Sequence, residues 1–157
     1  MTVPGFSVQA GEGETLPTPT ADEITIKADT RRTNGAMTVM ELLVAPGSGP
    51  ATHVHLREDE LWWVLEGEFR FRTGDEWLRA SEGGMAFGPR GLRHAFQNVG
   101  ETRGRLLIVT TPSGVERFFE QSAEEPAFPL PFDRLAALGA ANWLEFTGPP
   151  LGVTDPP

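Results

Sequence analysis

Cysteine does not occur in the 157 residues, which removes disulfide frameworks, thiolate metal sites and a cysteine nucleophile together. Basic residues are scarce: 13 against 22 acidic ones leave a net charge of −9, so the surface repels phosphate backbones and anionic lipid headgroups. Nucleic-acid and membrane partners are therefore excluded as expectations. No apolar run approaches the roughly 18 residues of a membrane span, and the first ten residues lack the basic and apolar regions of a secretory signal. The expected location is the cytoplasm. Histidine is also rare, with three in the chain.

Glycine and proline are abundant, 18 and 14 residues, a share that suits many short strands joined by tight turns. The length fits one domain with one core. Residues 1–22, rich in Gly, Thr, Pro and Glu, read as a surface arm whose Phe6, Val8 and Leu16 need a partner to bury them. From 23 to 112 strand-like runs alternate with turns: Ile24–Lys27, Met37–Val44, Thr52–Leu56, Glu60–Leu65, Phe69–Arg72, Trp77–Arg79, Met85–Gly88, His94–Val99 and Leu106–Thr110. That spacing predicts an all-β sandwich or barrel. Residues 113–146 carry helical spacing at Val115, Phe118, Phe119 and Ser122, then a second short helix N-capped by Asp133 and limited by Gly139. Residues 147–157 read as a proline-rich tail, extended or mobile.

All three histidines sit in two glycine-punctuated strand segments. His53 and His55 are two apart, so on a strand both imidazoles leave the same face. Glu60 opens the next strand and a hairpin returns its carboxylate to that face; His94 opens a later one. Three imidazoles and a carboxylate suit a borderline divalent cation, Mn, Fe, Co, Ni, Cu or Zn, with positions left open for water, substrate or dioxygen. Taken alone, Glu58, Asp59 and Glu60 would be a solvated acidic turn.

The frame around these residues is regular. Gly47, His53, His55, Glu60 and Gly67 fit the spacing G(X)5HXH(X)4E(X)6G, and Gly83, Pro89, Gly91, His94 and Asn98 fit G(X)5PXG(X)2H(X)3N. These segments resemble the paired motifs of the cupin superfamily at all ten positions. The resemblance implies a double-stranded β-helix, the cupin jelly-roll barrel, with one or two short C-terminal helices. It also implies one divalent metal held by His53, His55, Glu60 and His94, and a homodimer.

Strand parity anchored on the ligands assigns a pocket of Met40, Leu42, Trp62, Phe69, Met85, Phe87 and Phe96, aromatic and poor in charge, and Phe118 of the helix expected after Pro112 is added to it. Sugar-phosphate isomerases of the superfamily need inward Arg or Lys, and the arginines with a parity assignment point outward. The segments Glu58–Phe69 and Pro112–Phe119 resemble quercetinase-like single-barrel members. That likeness implies a dioxygenase cleaving a flavonol, or a related enol or catechol-type aromatic, with O2. Glu60 would then be the catalytic base and the helix after Pro112 the cap of the pocket mouth. Two other readings stay open: a non-catalytic metal or small-ligand binding protein, and a metal-dependent isomerase or lyase on a neutral small molecule.

Overall fold

The computed structural model describes residues 2–20, 22–153 and 155. Met1, Ala21, Thr154, Pro156 and Pro157, which belong to the predicted arm and tail, lie outside the described residues. The strands are β1 (Glu14–Pro17), β2 (Glu23–Ala28), β3 (Thr38–Val44), β4 (Ala51–His55), β5 (Asp59–Glu66), β6 (Glu68–Thr73), β7 (Glu76–Ser81), β8 (Met85–Gly88), β9 (His94–Asn98), β10 (Gly104–Thr111) and β11 (Leu144–Pro150). Three helices accompany them, α1 (Thr30–Thr33), α2 (Glu116–Ala123) and α3 (Phe132–Ala141).

The strands make a six-stranded antiparallel sheet, β1-β2-β3-β10-β5-β8, and a five-stranded antiparallel sheet, β11-β4-β9-β6-β7. The alternation read in the sequence becomes the inner face. Met40, Leu42 and Val44 of β3, Trp62 and Val64 of β5, Leu106 and Ile108 of β10, Phe69 and Phe71 of β6, and Phe96 of β9 form one core. Gly67, at φ 89°, joins β5 to β6 in a single residue, a turn that a side chain would strain.

The structure departs from the sequence reading at both ends. Within the arm, β1 pairs with β2 and Leu16 packs on the core, while the Arg32 guanidinium lies 4.3 Å over the Phe6 ring. Leu16 is thus covered within the chain, whereas Phe6 stays 47% exposed. At the other end, residues 144–150 pair with β4 as β11, so the expected boundary at 146 falls inside a strand. Pro149 and Pro150 are tolerated because β11 is the edge of its sheet, where a missing N–H costs no ladder bond. Beyond it Leu151 is buried and Asp155 accepts a hydrogen bond from Arg72 at 3.0 Å. Helix α3 starts at Phe132, with Asp133 inside the first turn rather than capping it. It also runs through Gly139, where a Cβ would stand 2.7 Å from the Phe146 ring. The glycine admits β11 against the helix instead of ending it.

Candidate metal centre

Strand β4 presents His53 and His55 on one face, β5 supplies Glu60 and β9 supplies His94, with His53 and His94 directly paired across the two strands. The second turn is fastened to the first. Gly91 N–H donates to the His55 carbonyl at 2.8 Å, and Asp59 accepts from Arg90 N, Nε and Nη2 at 2.9, 3.1 and 2.9 Å. This clamp holds Asp59 down at a pKa of about 2, through the Arg90 hydrogen bonds first. Gly88 leaves the space: a Cβ there would meet Trp62 at 2.5 Å and His94 Nδ1 at 3.0 Å.

One donor atom from each of His53, His55, Glu60 and His94 lies within 4.8 Å of the others, and all four residues are buried. His55 Nε2 and His94 Nε2 stand 3.1 and 3.0 Å from the same oxygen, Glu60 Oε2. The other oxygen, Oε1, accepts the Trp62 indole N–H at 3.0 Å. His53 Nδ1–H donates to the Ala51 carbonyl at 2.7 Å, leaving its Nε2 lone pair free. His94 Nδ1 is buried without a hydrogen-bond partner among the described residues. Three imidazoles and a carboxylate, converging and buried, fit a divalent transition metal.

Charge inside the cluster is uneven. Burial, reinforced by His94 and His55, drags His53 down to about 3, so it stays neutral. Burial alone would lower His55 as well, but Glu60 and the hydrogen bonds to Glu58 and Glu60 hold it up at about 9. Glu60 is buried too, which by itself raises its pKa. Here burial is outweighed by His55 and His94, and the carboxyl sits well below its usual value.

The cluster borders a cavity of about 360 Å³. Met40, Leu42, Phe96 and Phe118 line it, with Ile108 and Phe146 among further apolar residues. Four other predicted pocket residues stand elsewhere. Trp62 and Phe69 are buried in the core and off the cavity wall. Met85 and Phe87 are 46% and 49% exposed, on the outer face. The inward residues of β8 are Ala86 and Gly88, because Gly88 must admit Trp62 and His94; the face assumed for this strand was the wrong one of the two. Sequence reading also missed Asp22, a second carboxylate on the wall. Its oxygens are engaged by Ala45 N–H at 3.2 Å and Ser48 Oγ–H at 2.7 Å. Phe146 of β11 was missed too, 5.7 Å from the His53 ring. Among the described residues, no arginine or lysine lines the cavity.

Residues 40–110, which hold all four cluster residues, match the family model described as Cupin domain. This segment is similar to cupin domains. The chain is 30% identical over 80 residues to Tetracenomycin polyketide synthase protein TcmJ of Streptomyces glaucescens, covering 51% of this chain and 52% of that protein. It therefore spans about half the length of the curated relative it matches. Among solved structures the cupin barrel resembles a predicted oxalate decarboxylase from Thermotoga maritima, with TM-score 0.62 and 22% identity over 68% of this chain and 99% of that one. It also resembles KdgF from Halomonas sp., with TM-score 0.60 and 20% identity over 69% and 94%. At those identities the structures share the fold alone.

Proposed function

We propose that this protein is a metal-dependent enzyme acting on a neutral, apolar-bodied enol or phenol, and that its reaction is dioxygenation of the flavonol or catechol type. The observation that carries the reading is the His53, His55, Glu60 and His94 cluster, whose first three members stand on the wall of an apolar cavity of about 360 Å³. That volume suits a small flat molecule.

A divalent cation held by those four side chains would supply positive charge to stabilise a substrate oxyanion and, for a redox-active metal, electron transfer to or from dioxygen. The chain's own residues do the rest. Met40, Leu42, Phe96 and Phe118 exclude water and hold the apolar body of the ligand. Glu60 Oε1 is fixed by the Trp62 indole, which aims Oε2 at the imidazoles, and this carboxylate on the cavity wall is the group to take the enol proton. The Asp22 oxygens, already hydrogen-bonded, are poorly placed to compete. With no arginine or lysine on the wall among the described residues, an oxalate or sugar phosphate would find no guanidinium or ammonium group to pair with.

A second reading has one observation in its favour. The relative named as a polyketide synthase protein suggests an enolisable polyketide as ligand, on which the same base could drive a non-oxidative rearrangement. One experiment separates the readings. Protein loaded in turn with Mn, Fe, Co, Ni, Cu or Zn is given a flavonol, catechol and β-diketone panel, with oxygen uptake and product mass followed in air and under argon. Oxygen consumption matching substrate loss is the expected result. Turnover unchanged under argon would favour the polyketide-type reading, and ligand binding without turnover would leave a binding protein.

A further inference from the structure

Glu58 sits in the short loop between β4 and β5, three residues after His55 and two before Glu60. A carboxylate in such an acidic run belongs in water, and the neighbouring Asp59 is partly exposed and paired with Arg90. Glu58 is 1% exposed. Taking a carboxylate out of water is costly unless a partner compensates for it. The partner is His55: Glu58 Oε2 lies 3.4 Å from its Nδ1, while Glu60 Oε2 lies 3.1 Å from Nε2 of the same ring. The imidazole is bracketed by two carboxylates. The segment after β10 closes over the first of them, since a Cβ on Gly114 would come within 3.5 Å of Glu58 Oε1.

The three imidazoles are thus backed differently. Nδ1 of His53 faces the neutral Ala51 carbonyl, that of His94 has no hydrogen-bond partner among the described residues, and that of His55 faces a carboxylate. We propose that Glu58 is a positioning residue of the metal centre: by accepting the His55 Nδ1–H it fixes the tautomer that presents Nε2 to a cation and makes His55 the strongest nitrogen donor of the three. Outer carboxylates of this kind orient a ligand ring and raise its basicity. The inference rests on the metal-site reading above.

The test uses Co(II), with affinity from calorimetry and donor strength from the visible bands, on wild type, Glu58→Gln and Glu58→Met. Asp59→Asn serves as a control that loosens the same loop without touching His55. Gln keeps an acceptor and Met removes it. Co(II) affinity should therefore fall about 10-fold in Glu58→Gln and further in Glu58→Met, towards about 100-fold. The bands should move in both and stay put in Asp59→Asn. A purely structural role would not produce this graded spectral change. Wild-type affinity and spectrum in Glu58→Gln and Glu58→Met would overturn the proposal while leaving the metal site standing. If Glu58→Met does not fold, Glu58→Gln alone decides. Absence of Co(II) uptake by wild type would instead overturn the metal reading, and the role of Glu58 with it.

Discussion

Single side chains in this barrel carry separable duties. Glu60 has one oxygen on Trp62 and the other on two imidazoles, so Glu60→Gln should keep the fold and weaken metal binding moderately. Turnover should fall about 100-fold or more if the carboxylate is the base; equal rates for variant and wild type in an oxygen-electrode assay would remove that role. Glu116, buried at the start of α2, does different work. It accepts hydrogen bonds from Thr30 N–H at 2.9 Å, from the Thr30 and Thr38 hydroxyls, and from Gly114 N–H at 2.9 Å. Burial would raise its pKa, but these donors prevail and hold it below the ordinary 4.5. A carboxyl depressed on folding contributes stability that is complete above about pH 4.5 and is lost as pH falls through the lower folded-state value. Glu116→Gln should therefore be less stable than wild type at neutral pH by about 1–3 kcal/mol and melt lower. The gap should narrow in melts taken below pH 4. A gap independent of pH would show that the charge is not what matters.

Elements, rather than residues, decide what closes the cavity. Helix α3 and strand β11 meet at Gly139 and Phe146, and Phe146 both lines the cavity and faces the His53 ring. Gly139→Val must push that ring aside, since a Cβ would already stand 2.7 Å from it. The expected cost is about 1–3 kcal/mol by denaturant titration, with weaker binding of apolar ligands. Unchanged ligand affinity would mean that β11 does not shape the pocket. This corner was also the least legible part of the sequence. The two motifs convey which residues converge because a two-residue step on a strand and a glycine-closed hairpin have few geometric solutions. Parity likewise finds Met40, Leu42 and Phe96, whose strands carry clear alternation. It misplaces Met85 and Phe87 because β8 is four residues long and holds no anchor of its own, so its face is set by Trp62 pressing on Gly88. Strand β11 is invisible locally: its partner β4 lies some 90 residues earlier and its prolines argue against a strand until the edge position is known. Glu58 was hidden for a similar reason, since a loop has no period and its burial is created by the distant Gly114 segment.

At the scale of the whole molecule, the cluster joins the two sheets. His53 and His55 on β4 and His94 on β9 belong to the five-stranded sheet, whereas Glu60 on β5 belongs to the six-stranded one. In the metal-free state the cluster ties them through the Glu60 carboxylate shared by His55 and His94, which needs a proton in the buried cluster to remain attractive. A divalent cation replaces that proton with a stronger tie that exists in the folded state alone, because the unfolded chain does not hold four ligands together. Ligand binding to the native state stabilises it by mass action, about 4 kcal/mol at a thousandfold excess over Kd, or about 10 °C in melting temperature for a chain of this size. Thermal melts of chelator-treated protein should rise by that order when Co(II) or Zn(II) is returned, and His94→Ala and His53→Ala should lose the response. The chain has no cysteine to bind metal adventitiously, and its three histidines are all in the cluster, so a metal-dependent rise has few other sources. If wild type and His94→Ala rose equally, the stabilising ion would have to sit on surface carboxylates, and the two sheets would be held by the aromatic core without the cluster.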